Sequence, residues 1–453
     1  MRGQRQGWRF ALAAAAAALL TACSPGRDAP YRATPAPQTA AFASAVPAGH
    51  TRYQNASLAI AFVGLTHDME WGGARPHLVR YEAPVRVALE GPGSRQYDPF
   101  LARFLGFLRE GTGIDIAPAA PPAEANLHVR FVPGRSFARV LPAVSCLVAP
   151  GDLAWEAFEA EPERFGGEAL AAMRRLEAVT VFLPQTAPPH LVRGCLIEEI
   201  AQALGPANDL YSLGPSIFND DAAHVWPTAL DLLMLRVLYA PELETGLGRE
   251  ETAAGARRAL DRLNPEGLAP GVAPLRIADE RAFLPWRASA LGVFSRNAEP
   301  GERRARAERA LRLAERRAPG GAHHCVALMT LGRVLAASAP GEALAVLDEA
   351  ETVCARRFGT DDIRLARIRA ERGAALFTLG RTGEALAATE PLAAPFEAHA
   401  QEERLAGLYA LRTALFHAMD RPAKAEAARA EARLWGAYAL GEDSEALARW
   451  LGR

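Results

Sequence analysis

The densest group of residues able to do chemistry lies in the text Cys195-Leu-Ile-Glu198-Glu199-Ile-Ala-Gln202-Ala-Leu-Gly205-Pro-Ala-Asn208-Asp209. Glu198 and Gln202 are four residues apart, so on a helix they project from one face, with Glu199 beside them. Gly205 permits a sharp turn that carries Asn208 and Asp209 back toward that face. A site built from Glu198, Gln202 and Asn208 or Asp209 offers only oxygen donors, which suit calcium or magnesium better than zinc. The leading reading is a relic site whose residues have structural roles and which needs no cofactor; a divalent metal held by these oxygens is the alternative. The plainer alternative is a solvated helix face followed by an Asn-Asp turn. Leu196, Ile197, Ile200, Ala203 and Leu204 fill the other faces and argue for burial. Buried carboxylates need partners, and Arg193, one turn earlier, is a candidate partner for a glutamate.

The elements that must position these residues are mixed. Leu58 to Leu65 and Val79 to Leu89 alternate loosely between apolar and polar residues and read as strands. Tyr97 to Arg109 carries Phe100, Leu101, Phe104, Leu105, Phe107 and Leu108 at helical spacing. A strand at Ala125 to Val132, a helix from Asp152 to Leu176 interrupted near Pro162 and Gly167, and a strand at Ala178 to Leu183 follow. Pro188-Pro189 then opens the helix that bears the glutamates, and Gly205-Pro206 stops it. Residues 51–265 thus predict an α+β domain ending in helices.

The layout from Glu198 to Asp209 resembles the extended zinc motif of the metzincin metalloproteases, H-E-x-x-H-x-x-G-x-x-H. On that resemblance Glu198 and Gln202 stand at the two helical ligand positions, Glu199 at the general-base position, Gly205 at the glycine, and Asn208 or Asp209 at the third ligand. Ser216-Ile217-Phe218-Asn219 resembles the Met-turn with Phe218 in place of methionine, and Pro227 through Tyr239 resembles the closing helix of that fold. None of the motif's histidines is present. Zinc prefers imidazole and thiolate, so the resemblance implies a metzincin-like fold without zinc hydrolysis. The same stretch is similar to a family of bacterial envelope proteins known only as a domain of unknown function, over roughly residues 120–240. Nearby, Ser145-Cys146 has no base partner in sequence, Gly91-Pro92-Gly93-Ser94 reads as a turn, and His224 and Trp226 read as packing residues beside Asp220-Asp221.

The amino terminus has Arg2, Arg5 and Arg9 ahead of an apolar run from Phe10 to Leu20, too short for a membrane span. Leu20-Thr21-Ala22-Cys23 resembles the lipobox of bacterial lipoproteins, which implies a signal peptide over residues 1–22 and acylation of Cys23. Ser24 favours the outer over the inner membrane, on the periplasmic face of the cell envelope. Residues 23–50, rich in proline, alanine, threonine and serine, predict a disordered tether. Net charge is −1, which gives no footprint for nucleic acid. Five cysteines minus Cys23 leave Cys146, Cys195, Cys325 and Cys354, an even set suited to an oxidising space. Of the three pairings open to them, domain membership favours Cys146 with Cys195 and Cys325 with Cys354.

From Ala282 the sequence turns to alanine- and leucine-rich helices. Glu342-Ala343-Leu344, Glu384-Ala385-Leu386 and Lys424-Ala425 open comparable helices, each after a similar small-residue stretch. Small residues at the crossing and a glycine at the turn resemble tetratricopeptide repeats, which implies an all-α helical-repeat domain over residues 280–440 with a concave face for a peptide or protein partner. In that register Cys325 and Cys354 lie at the same end of one hairpin. The function expected is a membrane-anchored periplasmic binding or scaffold lipoprotein with an inactive metalloprotease-like domain. The alternative is a metal-dependent hydrolase acting on peptide or cell-wall substrates.

Overall fold

A computed structural model of the chain describes residues 29–37, 51, 53–120, 124–295 and 298–451. The signal segment and Cys23 lie outside the described residues. The N-terminal half is a five-stranded mixed sheet of β1 (Val85–Glu90), β2 (Ile116–Pro118), β3 (Leu127–Val132), β4 (Leu147–Pro150) and β5 (Val179–Pro184), in the order β2-β1-β3-β5-β4. β4 alone runs antiparallel, pairing Leu147 with Phe182 through Pro150 with Val179, and it forms one edge. β5, parallel to β3 and antiparallel to β4, is buried at every position, as an interior strand covered on both faces should be.

Helices α1 (Asn55–His67), α2 (Asp98–Thr112), α3 (Gly134–Val140), α4 (Trp155–Ala160), α5 (Gly167–Ala172), α6 (Pro189–Ala203), α7 (Ala229–Leu238) and α8 (Arg249–Leu263) complete this half. α1 corrects the strand expected at Leu58 to Leu65. The segment is apolar on almost every side, and all but Ile60 and Ala56 of it is buried, so it has neither the alternation of a strand nor the stripe of a surface helix. The other expected elements are present with shifted ends. The short strands β2 and β4 and helix α3 were not expected.

Hairpins of antiparallel helices form the C-terminal half: α9 (Leu284–Val293) with α10 (Pro300–Arg317), α11 (Ala322–Ser338) with α12 (Pro340–Phe358), α13 (Ile363–Thr378) with α14 (Thr382–Thr389), and α16 (Glu402–Ala418) with α17 (Pro422–Leu440). α15 (Ala393–Ala398) bridges two hairpins, and α18 (Glu445–Trp450) packs Leu447 and Trp450 onto the end, ten residues beyond the expected boundary. Ala343, Ala385 and Ala425, the residues that marked the repeat, are each fully buried near the start of a second helix. Close packing needs small residues at the crossings. A Cβ on Gly332 would stand 2.5 Å from Leu347 Cδ2, and one on Gly373 2.4 Å from Thr389 Cγ2.

Both expected disulfides form, Cys146–Cys195 and Cys325–Cys354. They fit an oxidising compartment outside the cytoplasm. Among the described residues no helix is long and apolar enough to cross a membrane.

The two halves share a boundary rather than a linker. Arg364 of α13, fully buried, is ion-paired with Asp221 at 2.6 Å and Asp362 at 2.9 Å. Glu280 accepts from the Ser212 backbone and bonds the His323 ring at 2.7 Å. Tyr211 and Ala223, from one loop of the α/β half, belong to apolar clusters of the helical half. Part of the expected tether is ordered: Tyr31 is buried, Ala33 N donates to Gln96 Oε1 at 2.9 Å, and Arg32 N reaches Asp443. This corrects the disordered assignment for residues 29–37, where one buried aromatic side chain outweighs the proline-rich composition.

Candidate functional site

α6 begins at Pro189, whose fixed φ suits the first helical turn, and stops at Gly205. Gly205 has φ +145, and a Cβ there would stand 2.7 Å from the Val79 carbonyl oxygen and 2.8 Å from Leu238. Only glycine makes this turn, which sends the chain back beneath α6. Arg75 holds the turn by donating to the Gly205 carbonyl at 2.9 Å.

Behind the turn, the returning loop is fixed to its surroundings residue by residue. Ala207 N bonds the Leu65 carbonyl, and Leu210 N bonds the Phe218 carbonyl. Asp231 of α7 accepts from Ile217 N, Thr228 N and Ser216 Oγ. Phe218 is completely buried under the site.

These supports converge on a cavity of about 550 Å³ between the two halves, within the range of ligand pockets. Glu198, Glu199, Gln202 and Asp209 all line it, and Glu70 and Asp220 join them. Glu70, Asp209 and Asp220 can each offer a carboxylate oxygen within 4.8 Å of the others. Gln202 Nε2 donates to Asp209 Oδ1 at 3.0 Å, and the Tyr211 hydroxyl to Asp220 Oδ2 at 2.5 Å. Asn208 is not among the residues lining the cavity; its side-chain amide donates to the Gly64 carbonyl at 3.0 Å and anchors the loop to α1.

Five carboxyl groups on one wall carry little compensation. Arg287 is their cationic neighbour, donating to the backbone carbonyls of Glu70 and Asp209. Burial pushes Glu70 up to about 7 against the opposing Arg287 charge, with Asp220 adding to it, and burial and then the Glu70 and Asp220 charges push Glu199 up to about 8. Burial and then the Asp209 and Glu199 charges hold Glu198 well above the usual carboxylate range, and Asp209 and Asp220 are raised chiefly by burial. Arg193 does not relieve this wall. It is engaged by Glu402 at 2.8 Å and stacks on Tyr438, tying α6 to the helical half.

The rest of the cavity is less acidic. Cys146 and Leu147 line it from the edge strand, which the Cys146–Cys195 bridge ties to α6. Trp71 and Phe294 line it while remaining 53% and 41% exposed, so they stand at its opening. Trp226 packs its ring against Phe100, Phe104 and Phe107. His224 is buried, and burial pushes it down to about 4.

The donor set is wholly oxygen, with no histidine or cysteine in the close group, and it fits a hard cation such as calcium or magnesium. Sequence reasoning missed Glu70 and Asp220. The signal for the second was present in Asn219-Asp220-Asp221, where Asp220 adopts a left-handed φ of 49° that loops reserve for special positions.

Residues 55–258 match the family described as Protein of unknown function (DUF2927). The match covers α1 through most of α8 and leaves the helical half outside it. No curated protein and no solved structure matches the chain.

Proposed function

We propose that this is a lipid-anchored binding protein of the bacterial cell envelope, whose cavity between the two halves holds its ligand with the help of a hard divalent cation. The observation that carries the reading is the approach of Glu70, Asp209 and Asp220 within 4.8 Å, beside two further buried carboxyl groups. Such a wall either keeps protons or takes a cation, because buried charges of one sign repel strongly. The disulfides and the lipobox-like Leu20-Thr21-Ala22-Cys23 support the address. The metzincin resemblance enters as ancestry of the layout: the helix, the glycine turn and Phe218 beneath them support it, and the missing imidazoles argue against zinc chemistry. The helical hairpins, with buried alanines at a regular step, support a tetratricopeptide-like partner surface.

Calorimetric titration of the full chain with calcium, magnesium and zinc salts tests this. One site for calcium or magnesium, lost in Asp209→Asn/Asp220→Asn, is the expected result. A site that prefers zinc, together with peptide cleavage lost in Glu199→Gln, would instead establish the hydrolase reading. That alternative draws its support from Glu199, a buried acid on the motif helix with its pKa near 8.

A further inference from the structure

Residues 29–37, inside the proline-rich segment, form a strap laid across the boundary between the two halves. On the α/β side the Gln96 amide grips its backbone twice, with Oε1 accepting from Ala33 N at 2.9 Å and Nε2 donating to the Tyr31 carbonyl at 3.1 Å. On the helical side Arg32 N donates at 3.4 Å to Oδ1 of Asp443, in the loop after α17. Consecutive residues from Tyr31 to Ala33 therefore touch both halves.

Glycines on each half make room for it. Gly93 and Gly441 have φ of +80 and +93, and a Cβ on the first would stand 2.7 Å from Pro30 Cβ, one on the second 3.0 Å from Tyr31 Cδ1. A side chain at either place would press the strap off its seat. Tyr31 is 2% exposed, so its ring is packed as part of the body. Segments near a chain end hold one position when packing and hydrogen bonds tie them down, and here both do.

We infer that this strap sets the membrane-facing side of the protein, holding the surface at residues 93–96 and 441–443 close against the lipid bilayer. The inference rests on the reading of Cys23 as the acylated residue. Ala29 is six residues after Cys23, and at roughly 3.4 Å each these span about 20 Å at most, whatever their conformation. A tether running freely from Cys23 to residue 50 would span up to about 90 Å. The docked strap removes most of that reach. The body therefore works at the bilayer surface instead of sweeping the space beyond it, and the anchor meets the fold at the seam between its two halves.

The test uses the full chain, acylated in a bacterial host and reconstituted into phosphatidylcholine vesicles that carry an acceptor dye on some headgroups. A donor dye is placed on Arg95→Cys, an exposed position beside the strap, where the new thiol reacts because the other cysteines are bridged or acylated. A flexible Gly-Ser insert of about 20 residues, with an r.m.s. reach of about 25 Å, goes either between Arg27 and Asp28 or between Thr39 and Ala40. Placed before the strap, the insert lengthens the anchor and is expected to cut energy transfer by about half or more; placed after it, transfer is expected to stay at the parent level. Equal loss with both inserts, or no loss with either, would overturn the strap and leave the acyl anchor standing. A chain that does not attach to the vesicles would overturn the anchor reading and the inference with it. Hydrogen exchange on the unaltered chain needs no insert: slow exchange at the Arg32 and Ala33 amides is expected, and free exchange there would overturn the docked strap.

Discussion

Replacing Glu199 by glutamine should make the protein more stable as the pH rises, although Glu199 occupies the most conspicuous place in the motif. Its carboxyl group is 8% exposed and its pKa is raised from an ordinary 4.5 to about 8, chiefly by burial and next by the Glu70 charge. Below pH 4.5 both folded and unfolded chains hold the proton, so the contribution to stability is fully present. Between pH 4.5 and about 8 only the folded chain holds it, and stability falls by about 1.4 kcal/mol for each pH unit. The whole interval amounts to about 5 kcal/mol, a large share of the 5 to 15 kcal/mol of a typical fold. Relaxation and water entry reduce that figure, so a gain of about 2 to 4 kcal/mol for Glu199→Gln at pH 8.5 is the working expectation, with near equality at pH 4.5. Urea unfolding at several pH values, in buffer containing a chelator, measures it. A variant no more stable than the parent at pH 8.5, or a parent whose stability rises from pH 5 to 8, would refute the reasoning.

Three further outcomes follow from the packing. Breaking the Cys146–Cys195 bridge with serines should cost about 4 kcal/mol by the loop-closure rule for a separation of 49 residues, read by thermal unfolding against the parent. Arg364→Ala should cost about 3 to 5 kcal/mol, because it leaves Asp221 and Asp362 buried without their counter-charge, and protease sensitivity of the 220–226 loop should rise with it. Gly332→Ala should cost about 1 to 3 kcal/mol in urea unfolding, since the new methyl would press on Leu347 across the hairpin.

Local pattern made much of this structure legible. The helix carrying Glu198, Glu199 and Gln202 is punctuated by Pro189 and Gly205, so its ends and the return of Asp209 could be read from residue types alone. Ala343, Ala385 and Ala425, picked out by their small side chains, are each buried near the start of a second helix of a hairpin. The strand expected at Leu58 to Leu65 was instead α1, since an element buried on all sides has no periodicity to betray its type. Asn208 was offered as a ligand by spacing, and spacing does not show that a carbonyl on α1 will take its amide. Glu70 and Asp220 come from loops far from α6 in sequence, and only tertiary packing brings their carboxyl groups to Asp209.

The acidic wall is the centre of the account, and locating a bound cation tests it most directly. Crystals of the full chain grown with manganese, an oxygen-seeking stand-in for magnesium and calcium, would show one anomalous peak among the carboxylates of Glu70, Asp209 and Asp220 if the account is right. An empty acidic wall at saturating manganese, with the carboxyl groups keeping their protons, would contradict it.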